Sequence, residues 1–278
     1  MAFLVKTFIG DALVSRNIPV AVKKELRKEV EFGCPINGCG VPYLEYHHFD
    51  PPWHVENHHR PEGMIALCAT HHAKADAFTV EQMREFKNNA QNEIVKGRFE
   101  WLRDEVLARI GGNYFFKNQV ELRICDVDVV WFERDDAGNL CLNINFIEVR
   151  GQKLWVHPIM RNNDWIFNTN VLDIDCKASG KELGVKFYDG SMVSIAFKEI
   201  KTPGEAIDFD ENMYGLLDNL KEVVDGVGDE TLPLLVADIK FKFPKLDLDF
   251  TKNITSSNSG FMMQGCLMIG NYYGVQIG

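Results

Sequence analysis

The sequence predicts an α+β protein in three parts: a small metal-clamped domain over residues 1–78, a helical connector over 79–112, and a mostly antiparallel β domain, sandwich or barrel, over 113–278. Three observations carry this prediction. Histidine and cysteine crowd into residues 34–76, apolar residues then recur at helical spacing up to Gly111-Gly112, and beyond that point the apolar period changes to two. A length of 278 residues suits two domains, and 46% hydrophobic with 25% charged residues is ordinary for a soluble globular chain.

In chain order, the opening MAFLVKTFIGDALVS has its apolar run broken by Lys6 and Asp11 and lacks a cleavage-like end, so it is not expected to be a signal peptide. No uncharged apolar stretch is long enough to span a bilayer. Residues 19–32 predict a helix, with Pro19 near its first turn and Gly33 at its end. Its Lys23, Lys24, Arg27 and Lys28 form a basic strip that suits a phosphate backbone, although Glu25, Glu29 and Glu31 also make it an ordinary solvated face.

Seven of the eight histidines, at positions 47, 48, 54, 58, 59, 71 and 72, and three of the seven cysteines, Cys34, Cys39 and Cys68, lie in the next forty or so residues. A hydrophobic core does not collect imidazoles and thiols, because each ring needs a polar partner. Metal chemistry does. Cys34 and Cys39 flank a tight Pro-Ile-Asn-Gly knuckle, and Cys68 and His71 stand at i, i+3 in the first turn of a helix. Together they give the Cys3His donor set of a closed structural zinc site; the alternative is free buried cysteines beside a surface histidine. His71 and His72 point about 100° apart on a helix, so they cannot serve one ion comfortably. Asp76 follows four residues later on the face of His72. His47 and His48 are expected on opposite faces of a strand, one free to bind metal and the other to address something else.

A second helix is expected from Thr79, whose hydroxyl with Gln82 makes a capping box. Met83, Phe86, Ile94, Phe99, Leu102, Val106 and Ile110 then continue the helical period, with Gly97 as a bend, and their aromatic content offers a surface for a second copy of the chain. Past Gly112, residues 127–133 and 140–146 predict a hairpin, and residues 183–188 and 192–197 around Asp189-Gly190 predict another. Strands near 118–125, 152–157, 164–168 and 170–176 complete the sheet, with Cys125, Cys141 and Cys176 as core thiols. Residues 212–224 suggest a short acidic helix. The β pattern returns from Leu232, and the uncharged, Met- and Tyr-rich stretch 253–278 is expected to be buried as strands or used as an oligomer contact.

The combination of Cys34 and Cys39, then Glu45-Tyr46-His47-His48, then Leu67-Cys68-Ala69-Thr70-His71-His72 resembles the HNH endonucleases, whose core is two strands and a helix clamped on a divalent ion, the ββα-metal fold. The resemblance covers residues 34–76 and implies a structural Zn2+ on Cys34, Cys39, Cys68 and His71. It also implies a catalytic ion, Mg2+ or Mn2+/Ni2+, on His47, His72 and Asp76, with His48 as general base. The family's central Asn falls at Gly63 here, and Asn57 is the nearest substitute for orienting the base. His54, His58 and His59 either touch nucleic acid or belong to a polar loop.

The residue types suit that chemistry, since an imidazole titrates near neutrality and a divalent ion neutralises a phosphate. DNA is the expected partner ahead of RNA. The net charge of −10 is awkward for a nuclease, but residues 1–110 hold 14 Lys+Arg against 15 Asp+Glu, so the excess acid belongs to the remainder. A thiolate knuckle without a paired cysteine framework suits the reducing cytoplasm. The layout is that of a cutter carried by a recognition or assembly module, as in restriction or anti-phage defence. The rival from another class is a non-catalytic zinc module that binds nucleic acid or protein.

Overall fold

Two layers of β-structure make up most of the chain, with a small α/β module packed against one end of them. The computed structural model describes residues 14–211, 213, 215 and 233–278. The N-terminal module comprises α1 (Val20–Glu29), β1 (Leu44–His48), β2 (Met64–Cys68), α2 (Ala69–His72) and α3 (Val80–Asn88). Pro19 caps α1, whose exit turns through positive φ at Glu31 and Phe32. β1 and β2 pair antiparallel, with His47 opposite Ile65 and His48 opposite Met64. The β2 sequence MIALC is buried throughout, so this hairpin is the floor of a core that also takes Leu26, Val30, Ile36 and Met83.

Thr79 and Gln82 form the reciprocal capping box at the start of α3. The helix stops at Asn88, however, and the remainder of the expected connector is β-structure: β3 (Ile94–Arg98) and β4 (Val106–Ile110). Of the apolar residues at helical spacing, Ile94, Val106 and Ile110 belong to these two short strands, each satisfied by a distant partner, and Phe99 and Leu102 lie in the segment between them. β3 pairs with β10 (Asp164–Asn168), and β4 pairs in parallel with β14 (Leu234–Phe243). Gly97 is therefore not a helix bend; a Cβ there would lie 2.3 Å from Trp165 Cζ2 and 2.6 Å from the Tyr43 hydroxyl. Phe99, Val106 and Ile110 are buried in the β core, while Ile94 and Leu102 stay exposed.

The other strands are β5 (Asn113–Phe116), β6 (Val120–Ile124), β7 (Val127–Arg134), β8 (Leu140–Arg150), β9 (Lys153–Arg161), β11 (Asp173–Cys176), β12 (Glu182–Lys186), β13 (Met192–Ile200), β15 (Leu248–Asp249), β16 (Ile254–Ser256), β17 (Phe261–Met263), β18 (Leu267–Ile269) and β19 (Tyr273–Ile277). Seven strands form one sheet in the order β19-β6-β7-β8-β9-β10-β3. The second runs β11-β12-β13-β14-β15-β16-β17, with β4, β5 and β18 attached off that path. Both expected hairpins are present, with Val130 opposite Ile144 in one and Lys186 opposite Met192 in the other. The two sheets share one buried cluster, in which Phe146 and Trp165 of the first meet Val193, Ile195 and Phe241 of the second. This is a sandwich.

Short α4 (Pro203–Phe209) crosses beside β13. The suggested helix at 212–224 lies outside the described residues except at positions 213 and 215. The uncharged C-terminal stretch forms strands, and β18 and β19 add in parallel to β5 and β6. Ile254 and Val275 are buried there, while Phe261, Met262 and Tyr272 stay exposed. Among the described residues no helix is long and apolar enough to cross a membrane.

Arg27 joins the module to the sandwich. It is 3% exposed and donates to both carboxylate oxygens of Asp173 on β11 and to the hydroxyl of Tyr46 on β1.

One carboxyl in the sheet is buried without compensation. Glu121 on β6 is 3% exposed, its Oε2 lacks a hydrogen-bond partner among the described residues, and burial raises its pKa from 4.5 to about 8. A raised carboxyl pKa makes the folded state hold this proton more tightly than the unfolded chain, so the contribution of Glu121 to stability is fully present below about pH 4.5 and is lost as pH rises towards 8. Glu121→Gln should therefore stabilise the fold at pH 8, by on the order of 3 kcal/mol, and flatten its dependence on pH between 5 and 8. Thermal melts across that range check this; an unchanged slope would place the proton elsewhere.

Candidate metal centre and histidine pocket

The knuckle that carries Cys34 and Cys39 is a 3-10 turn over Ile36–Gly38, with Asn37 at φ 47° and Gly38 at φ 70°. Two backbone bonds, Cys34 N–H to Val41 O and Gly40 N–H to Cys34 O, close it so that both thiols face β2. Cys68 ends β2 and caps α2, which brings His71 round by one turn. The four donor atoms of Cys34, Cys39, Cys68 and His71 all lie within 4.8 Å of one another. His71 Nδ1 is 3.3 Å from both Cys34 Sγ and Cys68 Sγ, and the Cys39 and Cys68 sulfurs are 3.9 Å apart. A tetrahedral zinc ion with ordinary bond lengths needs edges of roughly 3.8 Å between sulfurs and 3.5 Å between sulfur and nitrogen.

The electrostatics agree with that fit. Burial pushes the Cys34 thiol up to about 12, and the neighbouring Cys68 and Cys39 push in the same direction against backbone hydrogen bonds. The Cys34 thiol is therefore neutral when no metal is bound, and a metal that binds there must displace the thiol protons. The cluster can hold a metal such as zinc.

Beside it lies a cavity of about 470 Å3 lined by His47, His48, His72 and Asp76, together with Trp53 and Phe78. Glu45 and His47, two residues apart on β1, both meet His72. The His47 and His72 rings stand edge to face at 5.4 Å, and His72 Nδ1 is 3.2 Å from Glu45 Oε2. Burial lowers the His47 pKa, the nearby His72 adds to the shift, and Asp76 opposes it.

His48 has different neighbours. Its Nε2 is 2.9 Å from the His58 carbonyl, and its ring packs against Trp53, His58 and His59. A carbonyl only accepts, so Nε2 carries the proton and Nδ1 keeps the free lone pair. Burial lowers this imidazole to about 4; the His58 carbonyl opposes the shift and the neighbouring imidazoles reinforce it. The ring is thus held neutral with Nδ1 unprotonated, and at about 4 it is a weaker base than the near-neutral imidazole the sequence implies.

Two sequence expectations change here. α2 ends at His72, with Ala73 as its C-cap, and Asp76 sits in a separate 3-10 turn, Ala75–Ala77, so it is not on a continuous helical face with His72. Among the described residues the knuckle alone brings three or more donor atoms within 4.8 Å of one another; His47, His72 and Asp76 share a cavity more loosely. Asn57 does not orient His48. It is exposed and donates to the Trp53 carbonyl at 2.9 Å, closing its own loop, and the His58 carbonyl takes the orienting role.

The reason an asparagine cannot stand at position 63 is steric. A Cβ on Gly63 would lie 2.0 Å from the Asp50 carbonyl oxygen and 2.9 Å from His58 Cε1. His58 is itself a loop tie, with Nε2 on the Pro51 carbonyl and Nδ1 accepting from Arg60 N–H. His59 donates to the Ser15 carbonyl and stacks on Trp53, and His54 stays at the cavity rim.

The sequence reading missed Glu45 and Trp53. Strand alternation placed Glu45 beside His47, whereas nothing local marked Trp53, which reaches His48 only because the loop folds back.

No family model, curated protein or solved structure matches this chain.

Removing a knuckle ligand should cost the module its tie point. Cys39→Ala is expected to lower bound zinc from one per chain to near zero, by elemental analysis, and to raise amide exchange across residues 20–88 while the sandwich stays protected. Full retention of metal in that variant would contradict the tetrahedral assignment.

Proposed function

We propose that this chain is a metal-dependent endonuclease of the HNH, or ββα-metal, type that hydrolyses phosphodiester bonds in DNA, with the sandwich controlling where it acts. The observation that carries the reading is the division of labour in one cavity. His47 and His72 face each other on one wall, and His48, turned to the other side of β1, is held with Nδ1 free. A half-buried Cys3His cluster able to hold a metal stands directly alongside, sharing α2 with them.

In this reading Cys34, Cys39, Cys68 and His71 hold a structural Zn2+ that fixes α2 against β1. His47 and His72 hold the catalytic divalent ion, with Asp76 as an outer partner and Glu45 fixing the His72 ring. The ion, Mg2+ or Mn2+/Ni2+, supplies charge neutralisation at the scissile phosphate and the leaving oxygen. His48 Nδ1 accepts the proton of the attacking water; the water oxygen bonds to phosphorus, the P–O3′ bond breaks, and the 3′ oxygen leaves to be protonated from solvent. Trp53 against His48 excludes water from one side of the base.

The test is a supercoiled plasmid with Mg2+, Mn2+ or Ni2+ and the full chain. Wild type should nick it, and His48→Ala should cut the rate by at least about 100-fold, with zinc content and melting temperature unchanged. A wild type silent with all three ions would leave the protein as a non-catalytic zinc module.

A further inference from the structure

The seven-stranded sheet has a split in it. β9 and β10 pair only at Met160 with Trp165 and at Arg161 with Asp164, next to the turn that joins them. Beyond those two pairs the strands diverge. β10 goes to β3, and the outer edge of β9 over residues 153–157 has no strand or loop backbone bonded to it among the described residues. Every second backbone N–H and C=O on such an edge points outward, unpaired.

A cavity of about 610 Å3 opens in the gap, within the range of sites that take a ligand group. Its floor is apolar: Phe146 and Phe187 stack at 4.5 Å, and Ile159, Phe167 and Val171 close the base. Leu154, Trp155 and Val156, consecutive on the free edge, are 40%, 48% and 45% exposed. Because successive side chains of a strand alternate, both faces of this arm carry exposed apolar surface. The edge is blunted at its ends, by Lys153 and by Pro158, and is apolar over the three residues between Lys153 and His157.

The surrounding charge is partly spent. Glu148 on β8 is held by Arg150 and His157, and Lys245 lies 3.6 Å from Asp189. Lys153 at the start of the edge is exposed and makes no ion pair among the described residues.

We propose that this edge and cavity form a docking site for an extended peptide segment of a protein partner. The peptide would add as a strand to β9, place one apolar side chain in the Phe146–Phe187 cavity, and carry an acidic residue towards Lys153. An extended chain is the one ligand that answers both features, since a small molecule would leave the backbone edge unpaired. Pairing with a second copy through β9 alone would leave the cavity unfilled. The site is separate from the histidine pocket, and the proposal does not depend on nuclease activity.

The experiment is selection of a displayed random 12-residue peptide library on the full chain, followed by fluorescence anisotropy with the enriched peptide made synthetically. Enriched sequences should alternate apolar residues and carry Asp or Glu at one flank. Trp155→Lys and Ile166→Arg, both at exposed positions, should each weaken binding by about tenfold or more, with melting temperature unchanged. N-methylation of the peptide at alternate amides should abolish binding in one register and spare it in the other, a signature that side-chain contact alone does not give. Failure to enrich, tolerance of N-methylation in both registers, or indifference to both variants would overturn the proposal. So would sedimentation showing a dimer that Trp155→Lys dissolves, because the edge would then belong to a second copy.

Discussion

The convergence of three sulfurs and one imidazole is the constraint on which the N-terminal module depends. Its buried core is about a dozen side chains drawn from α1, the knuckle, the β1–β2 hairpin and α3. A core of that size is marginal by itself, because a small unit buries too little of its surface. A metal that ties residues 34 and 39 to residues 68 and 71 closes a loop of about thirty residues, and it does so where Cys34, Ile36 and Cys68 are themselves part of the core. The histidine pocket inherits its geometry from this tie. His72 follows the ligand His71 on a helix of one turn, so the direction of its ring is set by the knuckle. β1 is then pressed against that helix through Glu45 and His47.

A second constraint acts between module and sandwich. Arg27 and Asp173 form a buried, two-pronged ion pair, and such a pair adds little net stability over an apolar substitute, because both charges must be desolvated. What it fixes is position. Removing either partner strands the other charge in a site almost closed to water, so the two units meet in one orientation. Asp175 stands 3.3 Å from the same guanidinium, which gives Arg27 acidic partners at both ends of its reach along β11.

Much of this was legible in the sequence, and the parts that were not share a cause. The knuckle could be read because metal ligands have to recur at spacings fixed by local turns, and Cys34, Cys39, Cys68 and His71 obey them. The hairpins at 127–146 and 183–197 could be read because their partners are adjacent in sequence, so alternation and the turn residues Ala137-Gly138 and Asp189-Gly190 appear together. Ile94, Val106 and Ile110 misled because their spacing suits a helix equally well. Their strand state is decided by β10 and β14, some seventy and a hundred and thirty residues away. The same holds at Asp76, where four-residue spacing implied a helical face that the end of α2 at His72 removes. Gly63 is the reverse case: the Asp50 carbonyl at the other end of the same β1–β2 loop closes on it and leaves no room for a side chain, a contact that no local pattern encodes.

The split in the sheet and the histidine pocket are closer along the chain than their separation into two units suggests. Val171 lines the cleft; two residues later Asp173 grips Arg27, and Arg27 holds the hydroxyl of Tyr46, the residue before His47. A contiguous line of contacts is not by itself coupling, which needs an element that both ends can bias. What the contacts do show is that the bonds of the Arg27 side chain are divided between the units. A displacement of β11 must either carry Tyr46 with it or break charge-assisted hydrogen bonds in a buried site, and the second course is costly. β11 is the outer strand of its sheet, pairs with β12 over four residues, and is otherwise held by Arg27 and by the burial of Ile174 and Cys176 in the sandwich core.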